Sequence, residues 1–489
     1  MTGAHGGQVD RNRMPHSEKI AQVTTLVRSV WLAVLCATAA EAAPRVTFVR
    51  RVDLSAGAMP VAVVAADLDA DGRLDLAVAN FDSGDVSLFW GVGDGTFVAA
   101  PAALAVGPLG TESPVGLAVA DVTGDGIPDI VTANQFSNTV SVLPNLGARM
   151  FGLAVESVTG GSPEGLIVAD VNGDGILDVL TPNSLDDTVA VLPGRGDGSF
   201  ASTCSNLSTR TCRSSSDCPP GGMCGPYAIP VGAEPKALAV RDLDGDGNAD
   251  LIVALALSGD PEFVSSLMVL RGLGNGNFLP QPEIDSSTFD FGWAVTLASA
   301  DINGDHTADV VVSNANGDSI SVLAGKGGLG FDRAVAAILG GGTGPEGLLV
   351  ADLNGDGAKD IATSGSFQDK VFVLAGFGNG TFAAPQEFSL AAGALPAGMA
   401  QGDFNRDRRI DLAVANMQNN TVTILVNPCS GDCGLNGSVT VDEVLTMVNI
   451  GLGNRSVSEC LGGDLNGDGE ITVDEILTAV NSALLGCAA

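Results

Sequence analysis

Histidine is almost missing from this chain, with only His5, His16 and His306 among 489 residues. Nucleophile triads and metal-assisted hydrolysis usually draw on that side chain, so its scarcity weighs against both and against zinc. Positive charge is scarce as well. Lys and Arg total 23 against 57 Asp and Glu, a formal charge of −34. Such a balance argues against nucleic acid and anionic membrane as partners and makes cations the expected counter-charge. Aromatic residues make up 4% of the chain, and Tyr227 is its one tyrosine. Trp90 and Trp293 stand in strand-like surroundings, where core packing is the expected role ahead of stacking on a sugar. Beyond the N-terminus no run of eighteen uncharged apolar residues occurs, so no membrane span is expected.

What is present describes a folding chain. Hydrophobic residues reach 45% and the mean hydropathy is +0.29, unlike an acidic disordered segment. With 65 glycines and only 16% charged residues, the composition suits many short strands joined by tight turns. Lys19 and Arg28 precede an apolar stretch, residues 30 to 40, and Ala40-Glu41-Ala42 supplies a small-x-small cleavage pattern. Residues 1–42 therefore read as a signal peptide, with Met14 as a candidate true start because the leading segment is long. Leu35 before Cys36 argues against lipidation. The other eight cysteines form two sets of four: Cys204, Cys212, Cys218 and Cys224, then Cys429, Cys433, Cys460 and Cys487. In an exported chain these read as disulfides, and each set leaves three pairings open.

Internal repetition dominates the remainder. A nine-residue acidic segment begins at 67 (DLDADGRLD), 121 (DVTGDGIPD), 170 (DVNGDGILD), 242 (DLDGDGNAD), 301 (DINGDHTAD), 352 (DLNGDGAKD) and 403 (DFNRDRRID). The starts are 54, 49, 72, 59, 51 and 51 residues apart, a period in the range of propeller blades. Each unit reads as four short strands. An apolar run precedes the acidic segment and another follows it, a third comes after a polar turn, and a glycine turn ending in Phe, such as GVGDGTF at 91 to 97, is expected to start the fourth. The seventh unit stops at Asn427-Pro428 without that turn, whereas residues 46 to 57 precede the first acidic segment. The N-terminal segment is therefore expected to supply the missing strand and close the ring.

These acidic segments and glycine-Phe turns resemble FG-GAP or VCBS repeats, the family to which the propeller of integrin α subunits belongs. The resemblance covers residues 46–427 and implies an all-β, seven-bladed β-propeller.

Within each segment, positions one, three and five place oxygen-bearing side chains on one side of a tight loop, and position nine adds a fourth. The candidate ligands are Asp67, Asp69, Asp71 and Asp75 in the first loop, and Asp121, Thr123, Asp125 and Asp129 in the second. The third offers Asp170, Asn172, Asp174 and Asp178; the fourth Asp242, Asp244, Asp246 and Asp250. The fifth offers Asp301, Asn303, Asp305 and Asp309, the sixth Asp352, Asn354, Asp356 and Asp360, and the seventh Asp403, Asn405, Asp407 and Asp411. Hard oxygen donors in this number suit Ca²⁺. Two carboxylates about 5 Å apart repel by roughly 3 kcal/mol at an effective dielectric of 20, so the clusters ask for a cation. Thr123 at position three, His306 in place of the glycine at six, and Arg406 with Arg408 in the last loop weaken the second, fifth and seventh sites. Good hairpin turns alone would explain positions four to six but not the acids at one and nine.

After Pro428 the pattern turns helical. Two twelve-residue loops, 432 to 443 and 464 to 475, each lead into an amphipathic segment. The second matches an EF-hand, with Asp464, Asn466 and Asp468 at one, three and five, Gly469 at six and Glu475 at twelve; the first keeps Asp432, Asn436 and Glu443 but has Gly434 at three. Residues 428–489 resemble dockerin domains and related secreted EF-hand pairs, although dockerins usually close the loop with Asp, and Val473-Asp474 stand where they favour small hydroxylated residues. Either a docking module or a stapled cap fits. The Cys-rich stretch 201–234 reads as an insertion projecting from the ring.

The expected function is that of a secreted or cell-surface, calcium-binding scaffold for binding or adhesion, with an extracellular protein or polysaccharide as ligand and no catalytic residue. The alternative is a carbohydrate-active enzyme or a lectin-type polysaccharide-binding protein.

Overall fold

A computed structural model describes residues 45–107, 112–204, 207–212, 224–232, 234–256, 265–282, 284, 294–332, 335–464, 469–485 and 487. The expected signal peptide and Trp293 lie outside the described residues. The chain from Arg45 onward forms one compact unit.

That unit is a seven-bladed β-propeller. The first blade pairs Pro60–Ala66, Asp75–Asn80, Asp85–Gly91 and Phe97–Ala99 in order, and the second pairs Pro114–Ala120, Asp129–Asn134, Thr139–Leu143 and Val155–Val158. The third is Ile167–Ala169, Asp178–Asn183, Thr188–Leu192 and Tyr227–Pro230, and the fourth is Pro235–Arg241, Asp250–Ala256, Ser265–Gly272 and Phe278–Pro280. The fifth is Ala294–Ala300, Asp309–Asn314, Ser319–Leu323 and Val335–Ile338, and the sixth is Pro345–Ala351, Asp360–Gly365, Lys370–Leu374 and Gln386–Ser389. The seventh consists of Pro396–Gly402, Asp411–Asn416 and Thr421–Val426, completed by Val49–Ser55 from the N-terminal end, antiparallel to Thr421–Val426. The ring closes as the repeat count requires, and the otherwise open edge of Thr421–Val426 is covered by pairing with Val49–Ser55.

The second strand of every blade is buried along its whole length, as in DLAVAN and DIVTAN. Such strands read as continuous apolar runs because both faces pack against neighbouring blades. Seven apolar clusters result, one between each successive pair of blades. Val63, Leu76 and Phe89 of the first blade join Ala413, Val422 and Ile424 of the seventh, which closes the circle through packing as well as pairing. Four of these second strands end in a buried Asn whose amide donates to hydroxyls across the hairpin, as Asn134 does to Thr139 and Ser141 and Asn314 to Ser319 and Ser321.

The first strands crowd the ring axis, and glycine makes room for them. A Cβ on Gly116 would lie 2.8 Å from the Cα of Gly165 in the next blade, and one on Gly398 would lie 2.9 Å from the Cα of Ala62. Contacts under 3 Å require backbone movement, so the glycines of PVGL and PAGM are packing requirements.

Two expectations need correction. The glycine-Phe turn starts the outer strand only in the first and fourth blades. In other blades Phe151, Phe200, Phe331 and Phe382 form isolated bridges back to the turn, and the strand begins farther on. Their rings pack into the inter-blade clusters, which pulls the chain inward before it re-enters the sheet. The stretch 201–234 is also not wholly an insertion, because Tyr227–Pro230 is the outer strand of the third blade. The inserted part forms its own three-stranded sheet from Leu207–Cys212, Ser202–Cys204 and Cys224–Gly225. The side chains of its four cysteines lie outside the described residues.

The C-terminal module contains helices α1 (Val441–Gly451) and α2 (Val473–Leu485). They enclose a small core of Met447, Ile450, Ile471 and Ala479. Cys429 is bonded to Cys487 and Cys433 to Cys460, one of the three possible pairings. Crosslinks of this kind stabilise by about 2–4 kcal/mol each, which suits so small a core.

Candidate functional site

Each acidic loop joins the first strand of a blade to the second, and all seven share one hydrogen-bond pattern. The Asp at position one accepts the main-chain N–H of position six at 2.8–3.0 Å. The Asp at position five accepts the N–H of position seven at 2.8–3.0 Å. Position six adopts positive φ in every copy, including His306 at 67° and Arg408 at 68°. Glycine takes that conformation without cost and other residues do not, so the fifth and seventh loops keep their shape under strain.

Position nine is different in kind. Asp75, Asp129, Asp178, Asp250, Asp309, Asp360 and Asp411 are all buried. In each, Oδ2 accepts the N–H of loop position two at 2.8–3.1 Å. Oδ1 accepts an N–H at the end of the third strand at 2.8–2.9 Å. This carboxylate ties three segments of the blade together, a role that sequence spacing did not reveal. Burial, reinforced by repulsion from acids of the same loop, raises Asp75, Asp178 and Asp360 from the ordinary carboxylate range to about 6.

The other acids lie nearer solvent, and in the fourth loop they converge with the buried Asp250. Carboxylate oxygens of Asp67, Asp69 and Asp71 lie within 4.8 Å of one another, as do those of Asp242, Asp244 and Asp250. Oxygen donors this close can hold a metal ion. Both clusters also carry arginine. Arg73 pairs with Asp71, and Arg149, from the second blade, reaches Asp69 at 2.6 Å while its guanidinium lies 4.8 Å from the Trp90 ring centroid. In the fourth loop Arg271 spans Asp244 and Asp246, at 2.9 Å each. Main-chain and Arg271 hydrogen bonds hold Asp246 below the usual range. Among the described residues no arginine pairs with the third or sixth loop; there Asn172 and Asn354 donate to Asp178 and Asp356 instead. In the second loop the N–H of Thr123 donates to Asp129, and in the fifth the His306 side chain is 96% exposed, 3.7 Å from Asp301.

The seventh loop is covered. Asn405 and Asp407 are only 2% exposed, because the first loop of the C-terminal module lies over them. Gly437 sits directly against the Asn405 carbonyl, where a Cβ has no space, and Leu435 packs into the cluster between the seventh and first blades. Within that module, Asp432 accepts the N–H of Gly437 and Asp464 that of Gly469, repeating the propeller pattern. Both oxygens of Glu443 are occupied: one accepts Gly434 N–H, the other caps α1 through Thr440. Asn436 accepts from Ser438, and Glu475 accepts from Thr472 ahead of α2. Asn466 and Asp468 lie outside the described residues. Val441 and Leu445 on α1 with Leu452 at its C-cap, and Val473, Leu477 and Leu484 on α2 at the same spacing, are all exposed.

Sequence reasoning also passed over the opposite end of the ring axis. A cavity of about 320 Å³ there is lined by Glu164, Lys236, Asn316, Glu346 and Phe367. Lys236 bridges to Glu164 at 2.9 Å, and burial pushes Glu346 upward. At their register the first, second and seventh blades carry Val61, Val115 and Ala397, so the mouth is charged on one side only.

Comparison with known proteins places this geometry. The model of the FG-GAP-like repeat matches in four places, residues 67–132, 121–181, 242–312 and 301–363. A search of curated proteins returned no match. Among solved structures, the chain is similar to BBS1N in complex with ARL6DN (TM-score 0.52, 14% identity, covering 78% of this chain and 98% of the other). It is also similar to virginiamycin B lyase from Staphylococcus aureus (0.49, 11%, 78% and 99%) and to an Agrocybe aegerita lectin that recognises non-reducing terminal N-acetylglucosamine (0.46, 21%, 74% and 86%). At these identities the likeness concerns the fold. The chain thus carries FG-GAP-like repeats over residues 67–181 and 242–363 and folds as a seven-bladed β-propeller whose blades share one loop pattern.

Proposed function

We propose that the protein is a secreted or cell-surface binding scaffold whose propeller is stabilised by Ca²⁺ in the acidic loops, and that it binds an extracellular ligand without transforming it. The observation that carries this reading is the convergence of Asp67, Asp69 and Asp71, and of Asp242, Asp244 and Asp250, each set with oxygens inside 4.8 Å. The proposed ligands in every loop are the side chains at positions one, three and five, with the second lone pairs of the position-nine Asp available beyond its two main-chain bonds. In the C-terminal module the set is Asp432, Asn436 and Glu443, then Asp464, Asn466, Asp468 and Glu475. The cations would supply the charge that buried position-nine carboxylates lack. Extracellular placement is supported by two disulfides in the C-terminal module.

A glycan and matrix-protein array in millimolar calcium, run beside a polysaccharide-degradation screen, tests the functional part. Calcium-dependent retention without turnover is expected. Turnover abolished by replacing an acid outside the loops would establish the enzyme alternative instead.

A further inference from the structure

The acidic-loop end of the ring axis carries a feature that the calcium reading leaves unused. A cavity of about 540 Å³ opens there between the fourth, fifth and sixth blades, and Arg241 and Lys359 line it. Both positions are exceptional within the repeat. The residue just before the acidic loop is Ala66, Ala120, Ala169, Ala300, Ala351 or Gly402 in six blades, and Arg241 in the fourth. Loop position eight is Leu74, Pro128, Leu177, Ala249, Ala308 or Ile410 in six blades, and Lys359 in the sixth. Two cations have thus replaced small or apolar residues at two different registers, and both open into one cavity. In a chain of net charge −34 cations beside the acidic loops and the opposite cavity are held in ion pairs, as Arg73, Arg149, Lys236 and Arg271 are. Arg241 and Lys359 are exposed and enter no ion pair or side-chain hydrogen bond among the described residues.

The rest of the lining narrows the ligand. Asp301, whose two oxygens accept the Gly304 and His306 N–H groups, belongs to the fifth acidic loop, and Val350 and Ala358 bring apolar surface. Two cations beside an apolar wall suit a ring with a C–H face and an anionic substituent. A densely charged polyanion would be repelled by the neighbouring acidic loops, and an acidic peptide has no ring face to lay on the Val350 and Ala358 wall.

We propose that this cavity is a binding site for an acidic saccharide, a sugar unit bearing a carboxylate or sulfate group, with Arg241 and Lys359 engaging the anion and the Val350 and Ala358 wall meeting the C–H face of the ring. The proposal rests on the binding reading above and gives it a ligand class and a place. Arg241 supplies a planar fork that matches a carboxylate or sulfate in two-point contact.

The test is calorimetric titration of the full chain in millimolar calcium with a galacturonate tetrasaccharide, its fully methyl-esterified counterpart, a sulfated galactan tetrasaccharide and a tetraglutamate peptide. At least one of the two anionic saccharides binds at least tenfold more tightly than the ester, and which one does so identifies the substituent. Arg241→Glu and Lys359→Glu each weaken that binding at least tenfold, whereas Arg241→Lys retains most of it. Because both side chains are exposed, melting temperatures stay within about 1–2 °C of the parent protein. Equal binding of acid and ester, absence of binding by both anionic saccharides, binding unchanged in both charge-reversal variants, or equal affinity for tetraglutamate each overturns the proposal. Melting that ignores chelator while saccharide binding persists would instead count against the calcium reading alone.

Discussion

The first and fourth acidic loops differ from the third and sixth in a way that carboxylate number conceals. The former pair carry four acids each, the latter three, so charge alone ranks them as the stronger cation sites. Yet Arg73 and Arg149 hold the first loop and Arg271 the fourth, whereas Asn172 and Asn354 mark the quieter loops. On the proposed calcium reading, positive charge from the chain and positive charge from solution would compete for the same oxygens. The acid-rich loops are already partly neutralised by arginine, and the acid-poor ones would rely on the cation more fully.

The comparison breaks most visibly at position nine. Asp178→Ala removes the acceptor of the Val171 and Gly194 N–H groups, and each buried orphaned donor costs about 1–3 kcal/mol. A loss of about 3–5 kcal/mol is expected with or without calcium. Asp174→Ala in the same loop should cost under about 1 kcal/mol in calcium-free protein and several times more in calcium. Denaturant unfolding of both variants in both conditions checks this contrast; similar losses for the two would erase the distinction between girder and ligand.

Proton uptake offers a second lever of middle size. Asp75, Asp178 and Asp360 have folded-state pKa values near 6, above their ordinary value. A carboxyl raised on folding binds its proton first in the folded state, so folding gains stability as pH falls from about 7 toward 4 and loses it as pH rises through that window. Metal-stripped protein should therefore melt higher at pH 5 than at pH 7. Calcium-saturated protein should lose that advantage, since the cation favours the ionised form. A pH-independent melting point of the stripped protein would contradict the electrostatic part of the account.

The smallest expected effect sharpens the comparison directly. Arg271→Ala frees Asp244 and Asp246, and exposed ion pairs contribute about 0.2–1 kcal/mol each. Calcium affinity of the fourth loop should rise about three- to tenfold, read by titration calorimetry against the parent protein.

Much of this was legible in the sequence because repetition is redundant. Seven copies fixed the blade number, and the incomplete last unit pointed to Val49–Ser55 as its outer strand. Other features were hidden for identifiable reasons. The letter at position nine is the same Asp as at position one, and only burial separates a tie between strands from a surface acid. Arg149 lies eighty residues from Asp69, beyond any local motif. Phe97 and Phe278 start strands while Phe151, Phe200, Phe331 and Phe382 do not, because a turn beside an apolar residue carries no information on whether that residue joins the sheet or the core. The seal of 432–437 over the seventh loop depends on how two separately readable modules pack.

The most direct measurement is thermal melting of metal-stripped protein at neutral pH, with and without 1 mM calcium at constant ionic strength. Extracellular modules bind calcium with dissociation constants of about 10⁻⁴ to 10⁻³ M. At the tighter end each filled site contributes about 1.4 kcal/mol, so four sites give about 6 kcal/mol and, at roughly 2 cal/mol/K per residue, a rise of several degrees. Magnesium, which demands near-octahedral geometry, should give a smaller rise. A melting temperature unmoved by calcium would contradict the claim that the acidic loops are cation sites and leave them as hydrogen-bonded turns.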